Sequence, residues 1–475
     1  MKILWENILA YSYFYPQSWE ESVTIPCAKR LVPIVTGLSF LQPALTKIQF
    51  DNLTLIATAL LVGGTFSISA IHRMWLREKA VSTLSHFLSD AKFYTPEMEI
   101  LYAKRALAVY KISDGFFVID DTMQHHSMFC KWIHGVFVLF DHALKTNLKA
   151  ICIVFLYYSD GVLVKFPITF RIYYKGTGKA MPWQRGRRFD CKTKYELAIA
   201  MLEWALQMGF PRAVVLADSW YGIEPFIEEL KRINLSYVLE IKCSLKIKTQ
   251  CKEPKLTPKG KLAKNQFELT VLPEFFKFVS TVTKCGLAHD LETGQEAKIL
   301  YHLKIATVQL NAFSGKHRVI ESIDPVKQTR KYLVTDQLNW DPIKIVSVYS
   351  HRWVIEEFFR NAKQLADMEG VSIRSEQGIT LALCLVSWID FLLHFENYKQ
   401  NTAEELSKES LTIPSIVRQW QYENLKAFIQ RIQDDETFVE KWLQVQNREL
   451  YRKRKKRKPL ILLNEDNEEP MEKAA

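Results

Sequence analysis

Tyr349, Arg352, Glu356 and Lys363 stand in one segment with the spacing Y-x2-R-x3-E-x6-K. Steps of three, four and seven residues fall on one face of an α-helix. A carboxylate then lies beside two cations and a phenol. Carboxylate oxygens suit hard divalent cations, and guanidinium and ammonium groups suit phosphate. Metal and a nucleic-acid backbone can meet on such a face. Two more acidic sites stand upstream, each directly after an apolar run: Asp120-Asp121-Thr122 after FFVI, and Asp218 after AVVLA. In an open α/β sheet, residues just past strand ends line the functional crevice. Three carboxylates converging there can bind two Mg²⁺ ions and support phosphoryl transfer, whereas histidine or thiolate ligands would favour zinc. Each acid alone has an ordinary role as a turn or capping residue, and charged helix faces are commonly solvated ion pairs. Their joint occurrence, in this order, points to chemistry.

The elements that must position these residues can be read from pattern. Residues 1–110 are mostly helical, with Thr95-Pro96 opening a helix to about Val109. A strand is expected over 115–121, ending on the two acids, followed by β-rich runs over 134–142 and 150–158. Asp160-Gly161 signals a hairpin, and 162–174 returns as a strand. A helix over 192–208 ends before Gly209, and then come a strand over 213–217, a helix over 223–233 and a strand over 236–242. The first three strands read as antiparallel and the later ones as parallel crossovers, the element order of a ribonuclease-H-like core. Residues 243–330 break the pattern and read as an insertion, lysine-rich at first (Lys246 to Lys264) and strand-like later. A strand over 331–335 precedes one long helix from the Asp341-Pro342 cap to Gly370, which carries the signature face. Another apolar helix spans about 378–397 and a polar helical tail follows.

The fold expected is α/β: a ribonuclease-H-like mixed sheet with a β-rich insertion, preceded and followed by helical regions. The divisions are 1–112 (helical, DNA-binding), 113–242 (first part of the core), 243–330 (basic, β-rich insertion), 331–400 (second part, with the catalytic helix) and 401–475 (helical, with a basic tail).

The 475 residues carry a net charge of +11 and a pI near 9.0, which favours an anionic partner. Arg452 to Lys458 are seven consecutive basic residues, suited to non-specific electrostatic binding of DNA. The eight cysteines form no CxxC pair and read as buried free thiols of a reducing compartment. The N-terminus lacks the long apolar core of a signal peptide. Residues 52–71 carry no charge, but Gly63-Gly64 divide them, so two buried helices are expected rather than a membrane span, and no second candidate span is seen. His125-His126 read as a polar or DNA-facing pair, since adjacent histidines point apart and nothing completes a metal site. Arg185, Arg187 and Arg188, beside Trp183, form a basic loop that reads equally as a phosphate contact or as plain solvated surface.

Within YSHRWVIEEFFRNAK the signature is complete, and the chain resembles the DDE transposases of bacterial insertion sequences, in the group marked by the YREK motif. The resemblance covers roughly 115–242 and 331–370. It implies a ribonuclease-H-like fold with a β-rich insertion before the catalytic helix. It also implies Mg²⁺-dependent nicking of double-stranded DNA at transposon inverted repeats, with Mn²⁺ able to substitute, and strand transfer into target DNA by a homodimer in a synaptic complex. The implied setting is the bacterial cytoplasm, at the nucleoid, with no membrane. Carried over, the catalytic and metal-holding triad is Asp120 or Asp121, then Asp218, then Glu356. On a strand Asp120 and Asp121 point to opposite faces, and Asp120, directly after the apolar run, is preferred. Tyr349, Arg352 and Lys363 would contact DNA near the scissile phosphate. Trp353 has two readings, a core tryptophan or a ring that stacks on an unpaired base. A metal-dependent endonuclease without strand transfer, and an inactive DNA-binding relic, are the alternatives.

Overall fold

A computed structural model describes residues 25–130, 132–142, 144–176, 191–251, 266–289, 296–323, 329–403, 412–450, 461–464 and 467–472. Arg185, Arg187, Arg188 and the basic run 452–458 lie outside the described residues.

The N-terminal part is helical. Helix α1 (Lys47–Gly63) starts at a capping box, in which Thr46 and Gln49 satisfy each other's backbone N–H groups. It stops where Gly64 takes a left-handed φ of 61°, and α2 (Ile68–Met74) leaves at 91°. Thus the uncharged stretch is two helices, broken at the expected glycines and buried in the protein. Helix α3 (Pro96–Tyr110) follows the expected bounds.

Strands β1 (Phe116–His126), β2 (Phe137–Asp141), β3 (Thr146–Ser159) and β4 (Lys165–Tyr173) come next. β3 pairs antiparallel with β1 on one edge and, on the other, with β2 along its first half and β4 along its second. Two crossover helices, α4 (Lys194–Met208) and α5 (Glu224–Arg232), flank β5 (Val214–Ala217), and β6 (Tyr237–Ile241) follows α5. β5 lies parallel to β1, and β6 parallel to β5. The order β4-β3-β1-β5-β6, three antiparallel strands and then two parallel ones, is the ribonuclease-H-like arrangement anticipated from the element order.

A small hairpin of β7 (Lys246–Gln250) and β8 (Phe267–Val271) follows. β9 (Thr281–His289), β10 (Glu296–Val308), β11 (His317–Ile323) and β12 (Arg330–Thr335) then extend the main sheet, because β12 pairs antiparallel with β6. The strand-rich part of residues 243–330 is therefore continuous with the core sheet.

The expected single helix from Pro342 to Gly370 is broken. It consists of α6 (Pro342–Ser350), a 3₁₀ turn at His351–Trp353, α7 (Val354–Leu365) and a second 3₁₀ turn at Met368–Gly370. A tighter turn inside a helix rotates the residues beyond it, so the signature residues do not form one continuous α-helical stripe. Helix α8 (Glu376–Ala403) is longer than expected. Residues Glu376–Thr402 have the length and hydropathy of a membrane span, which the sequence analysis did not single out, yet 89% of their apolar window is buried inside the protein. Helix α9 (Ile413–Asp434) packs on α1. Its buried Asn424 accepts from the Ala28 N–H and donates to the Pro26 carbonyl, both at 3.0 Å. The N- and C-terminal helical parts thus meet.

Candidate active site

The strand carrying the first acids is longer than its apolar run suggests. β1 continues through Thr122 to His126, because β3 pairs with it residue by residue as far as His126 opposite Lys149. Asp120 and Asp121 are therefore inside a strand, which corrects the expectation that the strand ends on them. What does end there is the parallel pairing: the last β1–β5 pair is Ile119 with Ala217. Asp120 and Asp218 are each the next residue. The crevice opens where β5 stops, which is the strand-end geometry that suits ligands.

The pleat decides where the paired acids point. Asp120 lies opposite Phe155, whose ring packs on Phe358 and Phe359 of α7 at 5.0 and 5.7 Å between centroids. Residues directly opposite on antiparallel strands share a face, so Asp120 faces α7. Arg352, in the 3₁₀ turn just before α7, donates from Nη1 to Asp120 Oδ2 at 2.9 Å and from Nη2 to Glu356 Oε1. One guanidinium therefore joins the first and third acids of the expected triad.

Asp121 points to the other face. Its Oδ2 accepts from Lys194 Nζ at 2.7 Å, with the Cys152 thiol at 3.5 Å, and its Oδ1 takes the Tyr221 hydroxyl at 3.5 Å. The Lys194 and Asp121 side chains are only 9% and 14% exposed. Lys194 sits in the first turn of α4, which a Thr193–Glu196 capping box holds in place. Its ammonium also lies 4.7 Å from the Trp220 ring centroid. Burial alone would lower this ammonium's pKa; Cys152 and Asp121 outweigh it and raise it. Sequence reasoning missed Lys194 and Trp220. The capping box marks the helix start, but no local pattern tells that its second residue reaches a strand 73 positions away.

The electrostatics separate the acids further. Burial pushes the Asp120 carboxyl up to about 7, and the Asp218 charge adds to this while Arg352 opposes it. Burial also raises Asp218, against the Trp220 N–H that donates to its Oδ1 at 2.9 Å. The Asp218 charge thus acts on Asp120, whereas the carboxylates that raise Asp218 are Asp121 and Glu240.

The other signature residues sit as follows. Tyr349 is buried, and its hydroxyl donates to Glu240 Oε2 at 2.8 Å. Lys331 reaches the same carboxylate at 3.5 Å. Lys363 pairs with Glu369 at 2.9 Å. Trp353 is half-buried. Glu357, next to Glu356, turns away to Lys165 on β4 at 2.8 Å. His125 Nε2 lies 2.8 Å from Asp141 Oδ2, and burial lowers the neighbouring His126.

Asp120, Asp218 and Glu356 offer oxygen donors only, the set that suits Mg²⁺ or Mn²⁺. Among the described residues, no three His, Cys, Asp or Glu side chains already close into a metal cage. Arg352 stands between two of the candidate ligands.

Two family models match this sequence: DDE superfamily endonuclease over residues 42–270, and transposase DDE domain over residues 192–389. The first takes in Asp120 and Asp218, the second Asp218 and Glu356. No curated protein matches. Among solved structures, the piggyBac transposase synaptic complex with hairpin DNA matches at 10% identity and a TM-score of 0.45, over 92% of this chain and 87% of that one. The chain is thus similar to the DDE superfamily endonuclease and transposase DDE domain families over parts of its length, and between them the two matches take in all three carboxylates.

Proposed function

We propose that this protein is a DNA transposase of the YREK group. It cuts the inverted repeats of its element and joins the freed ends to target DNA, as a homodimer in a synaptic complex at the bacterial nucleoid. One observation supports this above the others: Asp120 and Asp218 stand side by side where the parallel pairing ends, and Arg352 ties Glu356 to Asp120 there.

Asp120, Asp218 and Glu356 would hold Mg²⁺, for which Mn²⁺ can substitute. When bound there, the metal would activate a water or 3′-hydroxyl and neutralise charge at the scissile phosphate. The protein's own groups do the rest. Asp120, fixed on a central strand, and Glu356, fixed on α7, set the spacing of the metal ligands. Arg352 and Lys363 supply phosphate-binding cations. Tyr349, buried and bonded to Glu240, braces that carboxylate in place of the DNA contact expected of it, and Trp353 offers an aromatic face for a base. Arg185, Arg187, Arg188 and the basic tail add backbone contacts whose strength falls steeply with salt. The N-terminal helical region recognises the repeats.

The direct test is joining. Pre-cut 3′-ends of the element, incubated with the protein, Mg²⁺ and a second duplex, should become covalently linked to it. A metal-dependent endonuclease without strand transfer is the second reading, favoured by the endonuclease family match over residues 42–270. Cutting without any joining would select it.

A further inference from the structure

Arg352 is held in an unusual place for a residue whose task is to grip DNA. Its side chain is only 12% exposed, and its two prongs are committed to Asp120 and Glu356. The Tyr349 ring lies 5.9 Å from its guanidinium carbon. The 3₁₀ turn at His351–Trp353 places it there, at the joint between α6 and α7. The Asp120 side chain meanwhile is only 17% exposed, and Asp218 follows the last residue that pairs with its strand. Carboxylates gathered in a partly buried crevice are stabilised by a positive charge among them. Arg352 provides it.

We propose that Arg352 is an internal counter-cation that competes with the divalent metal, and that DNA releases it. This rests on the proposed function only in placing the metal on Asp120 and Glu356. A metal ion bound to those carboxylates would bring a second concentration of positive charge to oxygens that Arg352 already neutralises. The guanidinium must leave for the metal to bind well. Its alternative partner is a phosphate, which a two-pronged donor grips as it grips carboxylate. Metal and DNA therefore bind with positive coupling: each gives Arg352 or its carboxylates the partner that the other displaces. The free protein holds metal weakly, and the site loads fully only on DNA. Arg352 is thus a positioning residue that couples two ligands, in addition to any contact with the backbone.

The test measures Mn²⁺ binding directly, by the loss of the free-ion paramagnetic resonance signal, on the full-length protein. Wild type, Arg352→Gln, Arg352→Met, Arg352→Lys, Glu356→Gln and Asp120→Asn are compared with and without a duplex carrying the element's terminal repeat. Removing a cation from beside the carboxylates should tighten Mn²⁺ binding to DNA-free Arg352→Gln by at least about tenfold. DNA should tighten Mn²⁺ binding to wild type but no longer to Arg352→Gln. Mn²⁺ binding to DNA-free Arg352→Gln that is equal to or weaker than wild type overturns the proposal. If thermal melts show that Arg352→Gln does not fold, Arg352→Met decides. It keeps the apolar stem without the charge, so tighter Mn²⁺ than wild type supports the proposal and equal or weaker Mn²⁺ overturns it; Arg352→Lys, which keeps a cation there, should stay closer to wild type than the uncharged variants do. The site itself is tested separately: undiminished Mn²⁺ binding by Glu356→Gln and Asp120→Asn would remove the metal from these residues and refute the function proposed above.

Discussion

Replacing Asp120 and Asp121 by asparagine, one at a time, should produce opposite phenotypes, although the two are adjacent. Asp121 neutralises Lys194 across 2.7 Å, with both side chains largely buried. Breaking such a pair from one side leaves an uncompensated buried charge and costs about 3–5 kcal/mol. Asparagine still accepts a hydrogen bond from Lys194, so Asp121→Asn should lie at the lower end, about 3 kcal/mol. Asp120 differs in sign. Its folded pKa of about 7 is above the usual 3.8, so ionisation in the folded protein is disfavoured, and stability is lost as pH rises from about 4 through 7. Asparagine removes that loss while Arg352 keeps Glu356. Asp120→Asn should therefore be at least as stable as wild type at pH 8. Urea unfolding at pH 8 reads the first quantity, and Mg²⁺-dependent nicking of the terminal repeats reads the second. Asp120→Asn should be stable and inactive; Asp121→Asn should be destabilised yet still cut where it remains folded. A stable, inactive Asp121→Asn beside an active Asp120→Asn would reverse the assignment and refute the reasoning from the pleat.

Two further outcomes follow from the same packing. Asp390 on α8 is buried with its Oδ2 accepting from the Tyr157 hydroxyl at 3.2 Å, near His394, and burial pushes its carboxyl up to about 8. The folded chain then binds a proton that the unfolded chain has lost, so wild-type stability should fall by roughly 1.4 kcal/mol per pH unit in the upper part of the range from about 4 to 8. His394 is lowered by burial and titrates below that upper part. Asp390→Asn should reduce the slope between pH 6.5 and 8 to the part that Asp120 still contributes near pH 7, and unfolding free energies at three pH values would show it; a slope equal to that of wild type would count against it. Tyr349→Phe removes a hydroxyl bonded to a carboxylate, and should cost about 1.5–3 kcal/mol in unfolding free energy while leaving DNA affinity in a filter-binding assay unchanged. Reduced DNA affinity without a stability loss would put the phenol on the DNA instead.

Much of the architecture was legible because it is written locally. The Asp160-Gly161 turn, the Gly209 helix stop, the Asp341-Pro342 cap and the glycine break after α1 all depend on side chains near in sequence. What stayed hidden depends on partners far away. The apolar run of β1 ends at Ile119, but β3 is long enough to pair with the polar residues beyond it, where Gln124 is buried and donates to the Val371 carbonyl at 2.7 Å. The periodicity of 342–370 fits a single helix, and the 3₁₀ turn within it accompanies the reach of Arg352 to Asp120, 232 residues away. The length of α8 as a span-like helix was missed, because the apolar run read from the sequence was shorter; its packing on β4 marks it as a core helix. At the candidate site, alternation alone separated Asp120 from Asp121 but could not say which face α7 would cover. Phe155 against Phe358 and Phe359 supplies that.

The central claim is that Asp120, Asp218 and Glu356 hold the metal on which cutting of DNA depends. Cleavage of DNA carrying the element's inverted repeats, with Mg²⁺ or EDTA, comparing wild type with Glu356→Gln, tests it most directly. The predicted result is Mg²⁺-dependent cutting by wild type that Glu356→Gln loses while still binding the DNA. Equal cutting by both proteins would contradict it and remove Glu356 from the site.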